Sequence, residues 1–195
     1  MNDRMQDIIR QIKRLQEELT LEIQKKEREF YYEIKKKRVL FEEKVRKLHR
    51  SSAMSLWRYI RGASLRNVLT APVIFSCIIP ALILDGFLSF YQLVCFPAYG
   101  IPKVRRGDYI IIDHHYLSYL NIIEKLNCVY CSYFNGLIAY VQEIGSRTEQ
   151  YWCPIKHARK LKVMHSRYRE FLDYGDCEGY QKELGELRRK FDDIR

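Results

Sequence analysis

Between Val68 and Leu84 the chain carries no charged residue, and the apolar run continues through Gly86, Phe87, Leu88, Phe90, Leu93, Val94, Cys95 and Phe96 with Asp85 as its interruption. About 20 apolar residues in a helix cross the hydrocarbon core of a bilayer, so residues 67–97 are expected to be a membrane segment. A chain of 195 residues with such a segment at its middle is not one soluble globule. Pro72, Pro80 and the Asp85–Gly86 pair punctuate the run where a plain span needs no punctuation. Two arrangements follow. In one, a tilted and kinked helix crosses once and Asp85, a membrane-buried ionisable residue, lies in a partner interface. In the other, two short helices form a re-entrant hairpin turned at Asp85–Gly86. Basic residues on both flanks (Arg58, Arg61 and Arg66 before; Lys103, Arg105 and Arg106 after) give no imbalance of the kind a single crossing shows.

The bend-and-return arrangement resembles the re-entrant anchor of monotopic phosphoglycosyl transferases. The resemblance covers the anchor alone. Those enzymes carry an Asp-Glu dyad soon after it, and no adjacent Asp-Glu pair exists in this chain, so no activity is carried over.

Residues 1–66 form a different kind of sequence. There are 18 basic and 10 acidic residues here, which accounts for most of the net charge of +10. Basic charge beside an apolar segment fits attraction to anionic lipid, and nucleic acid is the weaker reading of it. From Arg4 to about Arg50 there is no Gly or Pro, and helix formers dominate, so one long helix is expected. Ile8, Ile12, Leu15 and Leu19 make one apolar stripe, and Phe30, Ile34, Phe41, Val45 and Leu48 make another, with Glu22 and Lys26 breaking the phase. Such a stripe belongs to a coiled coil or to a helix laid along a partner, so self-association or a membrane-protein partner is expected. A solvated helix held by pairs such as Glu22 with Lys26 is the alternative. The first residues lack the short apolar core of a secretory signal.

From residue 98 to 175 the chain reads as a small α-rich domain with one short strand at Tyr109–Ile112, a helix capped by Asp113 and ending at Asn127, a second helix from about Phe134 to Ile144 closed by Gly145, and a further amphipathic helix over 176–195. Cys128 and Cys131 are spaced by two residues, and Cys153 and His157 by three. Three thiolates and an imidazole are the ligands of a closed tetrahedral zinc site, with the 21 residues between the pairs enough for a helix and two loops. Iron or a [2Fe–2S] cluster could use the same four residues, and a thiol–disulfide pair could use Cys128 and Cys131. The Cys-x3-His half is similar to that of the CDGSH iron–sulfur proteins, whose Cys-x-Cys half is replaced here by Cys-Val-Tyr-Cys. His114, His115 and Glu124 are candidates for a second metal site, with capping and solvated surface roles as the simpler reading.

The Cys-x2-Cys pair followed by Tyr151-Trp152-Cys153-Pro154-Ile155-Lys156-His157 resembles an uncharacterised group of bacterial membrane-associated proteins; the resemblance implies a shared fold and no activity. The whole predicts a mainly α, membrane-attached protein. Its metal domain is expected on the cytosolic face, where thiols stay reduced. A non-enzymatic, zinc-stabilised interaction or assembly module is favoured, against a redox or iron-dependent protein acting at the membrane.

Overall fold

The computed structural model of the chain describes residues 3–29, 32–35, 38–41 and 43–194. It is mainly helical, and it divides into two units: Met1–Gly62 with Asp113–Lys125, and Ala63–Ile112 with Leu126–Arg195.

In the first unit α1 (Asp3–Glu29) is followed by two short antiparallel strands, β1 (Tyr32–Lys35) and β2 (Arg38–Phe41), and then by α2 (Glu43–Ser51) and α3 (Leu56–Gly62). The single helix expected to reach Arg50 is therefore two helices separated by a hairpin. The cause is local. Tyr32 and Ile34 alternate with Glu33 and Lys35, Val39, Leu40 and Phe41 make a short apolar run, and aromatic and β-branched residues favour a pleated pair, here in the register Tyr32 with Phe41 and Ile34 with Val39. Phe30, a member of the second expected stripe, and the side chain of Lys26 lie outside the described residues. The first stripe does form on α1, where Ile8, Leu15 and Leu19 are exposed. Residues 113–121 of this unit hold a 3-10 turn at His114–Tyr116, where a longer helix was expected after Asp113.

The second unit contains α4 (Leu65–Ser76), α5 (Ile78–Tyr99), the short α6 (Arg106–Tyr109), most of α7 (Ile122–Trp152), a 3-10 turn at Ser166–Glu170 and α8 (Cys177–Leu187). Only Cys77 separates α4 from α5, and together Leu65–Tyr99 make a 35-residue stretch long and apolar enough to cross a membrane. The break at Cys77 follows from Pro80, which has no N–H for the Ser76 carbonyl and whose ring crowds it. No turn forms at Asp85–Gly86. Helix α5 passes through both residues and ends at Gly100, whose φ of +69° only glycine adopts freely.

The tertiary core lies between α5 and α7. Ala81, Asp85, Gln92 and Phe96 are the buried residues of α5, and Tyr133, Leu137, Tyr140 and Ile144 are buried along α7, both at the three-and-four spacing of one helix face. Contacts climb together in sequence, from Asp85 with Tyr133, through Ser89 with Tyr140 and Tyr91 with Thr148, to Tyr99 with Tyr151, so the two helices run parallel. Parallel helices need a connection that returns along their length. Residues 101–110 provide it, with Ile101 and Val104 buried in the core. At Gly136 a Cβ would stand 2.6 Å from the Tyr109 carbonyl oxygen and 2.8 Å from Ile110 Cα, so this glycine permits the close passage of the returning chain. Tyr109–Ile112 is not a strand: Tyr109 ends α6 and the next three residues are irregular.

Candidate functional site

Helix α7 decides what the cysteines can do. At its start the Asn121 side chain accepts from the N–H groups of Ile123 and Glu124, both at 3.0 Å, while Glu124 Oε2 accepts from Asn121 N–H at 2.8 Å. This reciprocal capping box starts a helix that contains no proline and continues through Asn127 and Gly145, the two expected stops. Cys128 and Cys131 therefore lie within the helix, and Cys153 follows its last residue, with its N–H still bonded to Glu149 O at 2.7 Å. At about 1.5 Å of rise per residue, Cys128 and Cys153 are separated by roughly 37 Å along the axis. The expected set of Cys128, Cys131, Cys153 and His157 is thus not brought together, and the same separation applies to zinc, iron and a [2Fe–2S] cluster. Among the described residues no group of three or more His, Cys, Asp or Glu side chains is placed to hold a metal ion. All six cysteines are free thiols.

The second expected set is also spoken for. Glu124 is the capping carboxylate, His114 Nδ1 lies 3.3 Å from Asp113 Oδ1, and the His115 ring lies against Tyr116 with centroids 3.9 Å apart.

Asp85 is where the sequence pointed to chemistry and where the structure concentrates polar contacts. Its side chain is 12 % exposed and takes donors from three elements. Arg106 reaches it from α6 with Nη2 2.6 Å from Oδ2 and Nε 3.2 Å from both oxygens. Tyr133 donates its hydroxyl to Oδ2 at 3.0 Å from α7, and Ser89 donates to Oδ1 at 3.3 Å from one turn along α5. The Arg106 guanidinium also lies over the Tyr133 ring, 5.9 Å from its centroid. Hydrogen bonding to the carboxylate holds Arg106 above its ordinary pKa, while burial, then the bond to Asp85, pushes the Tyr133 hydroxyl up. The pair is ionic and Tyr133 is a neutral donor.

Two turns further on, Gln92 holds the returning chain. Its Oε1 accepts from Val104 N–H at 3.0 Å and its Nε2 donates to Val104 O at 3.4 Å, so one side-chain amide takes the place of a neighbouring strand for an extended residue. Tyr140 completes the set, bonding to Gln92 Nε2 and lying 3.3 Å from Ser89 Oγ. This arrangement neutralises a carboxylate on an apolar helix and fixes a connecting segment; no side chain in it is an exposed nucleophile. Sequence reasoning singled out Asp85 and missed its partners. Arg106 reads as flanking charge, and only the spacing of Tyr133, Leu137, Tyr140 and Ile144 could have indicated the facing helix.

No protein-family model, curated protein or solved structure matches the chain.

Proposed function

We propose that this protein is a membrane-anchored assembly module, with α4 and the face of α5 turned away from α7 in contact with lipid, its polar surfaces on the cytosolic side, and α1 as a docking helix for a second copy or a membrane-protein partner. The observation that carries the reading is the exposure of the apolar stretch: 11 % of its most apolar part is buried inside the protein. A core helix of a soluble protein is mostly buried, whereas here Leu69, Val73, Ile79, Leu82, Phe87 and Phe90 are bare. Six free thiols support the reducing side of the membrane. The exposed Ile8, Leu15 and Leu19 stripe supports helix docking.

Alkaline carbonate extraction of membranes tests the anchor, and chemical cross-linking in intact cells tests the docking helix. The full-length chain is expected to stay in the pellet, and Leu15→Asp with Leu19→Asp is expected to remove its cross-linked species. Release into the supernatant would exclude the anchor, and unchanged cross-linking would exclude α1 as the docking element.

A further inference from the structure

The second unit also contains an open cleft of about 770 Å³, formed by the returning segment, α7, the 3-10 turn at Ser166–Glu170 and the last residues of the chain. The volume is in the range of small-ligand pockets, which run to about 1,000 Å³. Two arginines with side chains 6 % exposed line it, each held in place by the protein. Arg147 donates from Nε to Glu143 at 2.8 Å and from Nη1 to the Pro102 carbonyl at 2.8 Å. Arg167 donates from Nη2 to both Asp193 oxygens at 3.1 Å and from Nη1 to Gln150.

Fixed guanidinium groups in a cavity are costly to assemble. Behind the cleft surface Arg167 Nε is buried without a hydrogen bond, and His165 Nε2 stands 3.0 Å from Glu149 Oε2. Glu143 and Asp193 each already balance an arginine, which leaves Lys103 and Arg105 at the cleft against Asp108. Both of those basic residues are exposed and neither makes an ion pair among the described residues. Tyr109 adds a neutral hydroxyl, since burial and then Glu143 raise its pKa.

We propose that this cleft binds a phosphate-bearing ligand, with Arg147 and Arg105 as the charged donors, the Tyr109 hydroxyl beside them, and the Ser166 hydroxyl, which now donates to Glu143 Oε2 at 3.4 Å, able to turn to the ligand. Donors arrive from three separate elements, and a tetrahedral phosphate offers oxygens in diverging directions to meet them. A planar carboxylate offers two oxygens in one plane. The phosphate could belong to a soluble phosphomonoester or to a lipid headgroup.

The test is a calorimetric titration of the full-length protein in a neutral detergent. The probes are glycerol 3-phosphate with glycerol as control, and dihexanoyl phosphatidic acid with dihexanoyl phosphatidylcholine as control. Saturable binding of glycerol 3-phosphate assigns a soluble ligand, and binding of the phosphatidic acid alone assigns a headgroup. In either case Lys103→Gln with Arg105→Gln, a surface variant expected to melt like the parent, should weaken binding about tenfold, the equivalent of ~1.4 kcal/mol. Failure of both phosphate probes to bind above their controls, or undiminished binding by the double variant, would overturn the proposal. The titration is performed in micelles, so its outcome is independent of the extraction that tests the anchor.

Discussion

Helices α4 and α5 are adjacent in sequence, both apolar and both containing proline, yet α4 meets the rest of the protein only near its end, where Tyr130 donates to the Ile74 carbonyl at 2.7 Å and lies against Phe75, while α5 is packed along its length. No residue of α4 is buried, whereas α5 buries Ala81, Asp85, Gln92 and Phe96 on one face and exposes Leu82, Phe87, Phe90 and Leu93 elsewhere. The polar residues make the difference. In an apolar helix a carboxylate or an amide is tolerated only where a partner meets it, so Asp85 and Gln92 label the side of α5 that faces protein. The charge-free face of α5 and all of α4 carry no such label. Hydropathy identifies the stretch that can meet lipid; the exceptions within it identify the side that does not.

The contrast can be broken most sharply at Gln92. Gln92→Leu leaves Val104 N–H and the Tyr140 hydroxyl without their partner in a buried site, and should cost about 2–4 kcal/mol in thermal or denaturant unfolding of the detergent-solubilised protein. Val73→Ala on α4, at an exposed position, should change the same measurement by no more than about 0.5 kcal/mol. Equal effects at the two positions would mean that Val73 is covered by a protein partner too. Gly136→Ala comes next, at about 1–3 kcal/mol, because its new methyl group meets the backbone of Tyr109 and Ile110. A neutral result there would place the returning chain elsewhere.

Alkaline pH gives a smaller effect with a definite sign. The Tyr133 and Tyr109 hydroxyls ionise above the ordinary value of 10.0 in the folded protein, chiefly because burial disfavours the phenolate. A raised folded value means that their contribution to stability is complete below the unfolded value and is lost as pH rises through the folded one. Titration of tyrosinate absorbance should therefore show a late-ionising fraction that shrinks in Tyr133→Phe, and stability should decline only above pH ~10. The smallest change is expected from Cys153→Ser, within about 0.5 kcal/mol, with helicity unaffected by a chelator, because Cys153 is exposed and far from Cys128. Loss of folding on this substitution would restore the Cys3His zinc site and require α7 to open between its two cysteine pairs.

The sequence made the apolar stretch and its odd residue plain, because composition alone decides both. The N-terminal helix is legible up to Glu29, where propensity dominates, and not beyond it, where the β-favouring Tyr32, Ile34, Val39 and Phe41 lie inside a run of charged residues. In α7, Asn127 and Gly145 look like stops when read locally. Packing against α5 offsets the roughly 1 kcal/mol that a glycine costs within a helix, and nothing within a ten-residue window reveals that partner. The capping box Asn121–Glu124 is readable in the sequence, but Asp113 offers a competing helix start before it. The cysteine spacings suggested a chelate because short spacing is persuasive wherever a turn is assumed; within a continuous helix the same spacing merely sets two thiols on one rod.

Because α5 and α7 are parallel and joined by a returning segment, the α5 sequence leaves the ribosome well before its counterpart exists. During that interval Asp85 and Gln92 are uncovered on a nascent apolar helix, without Arg106, Tyr133 or Tyr140 to meet them. A chain interrupted before α7 therefore displays two polar side chains on an apolar helix, a defect that the completed protein conceals.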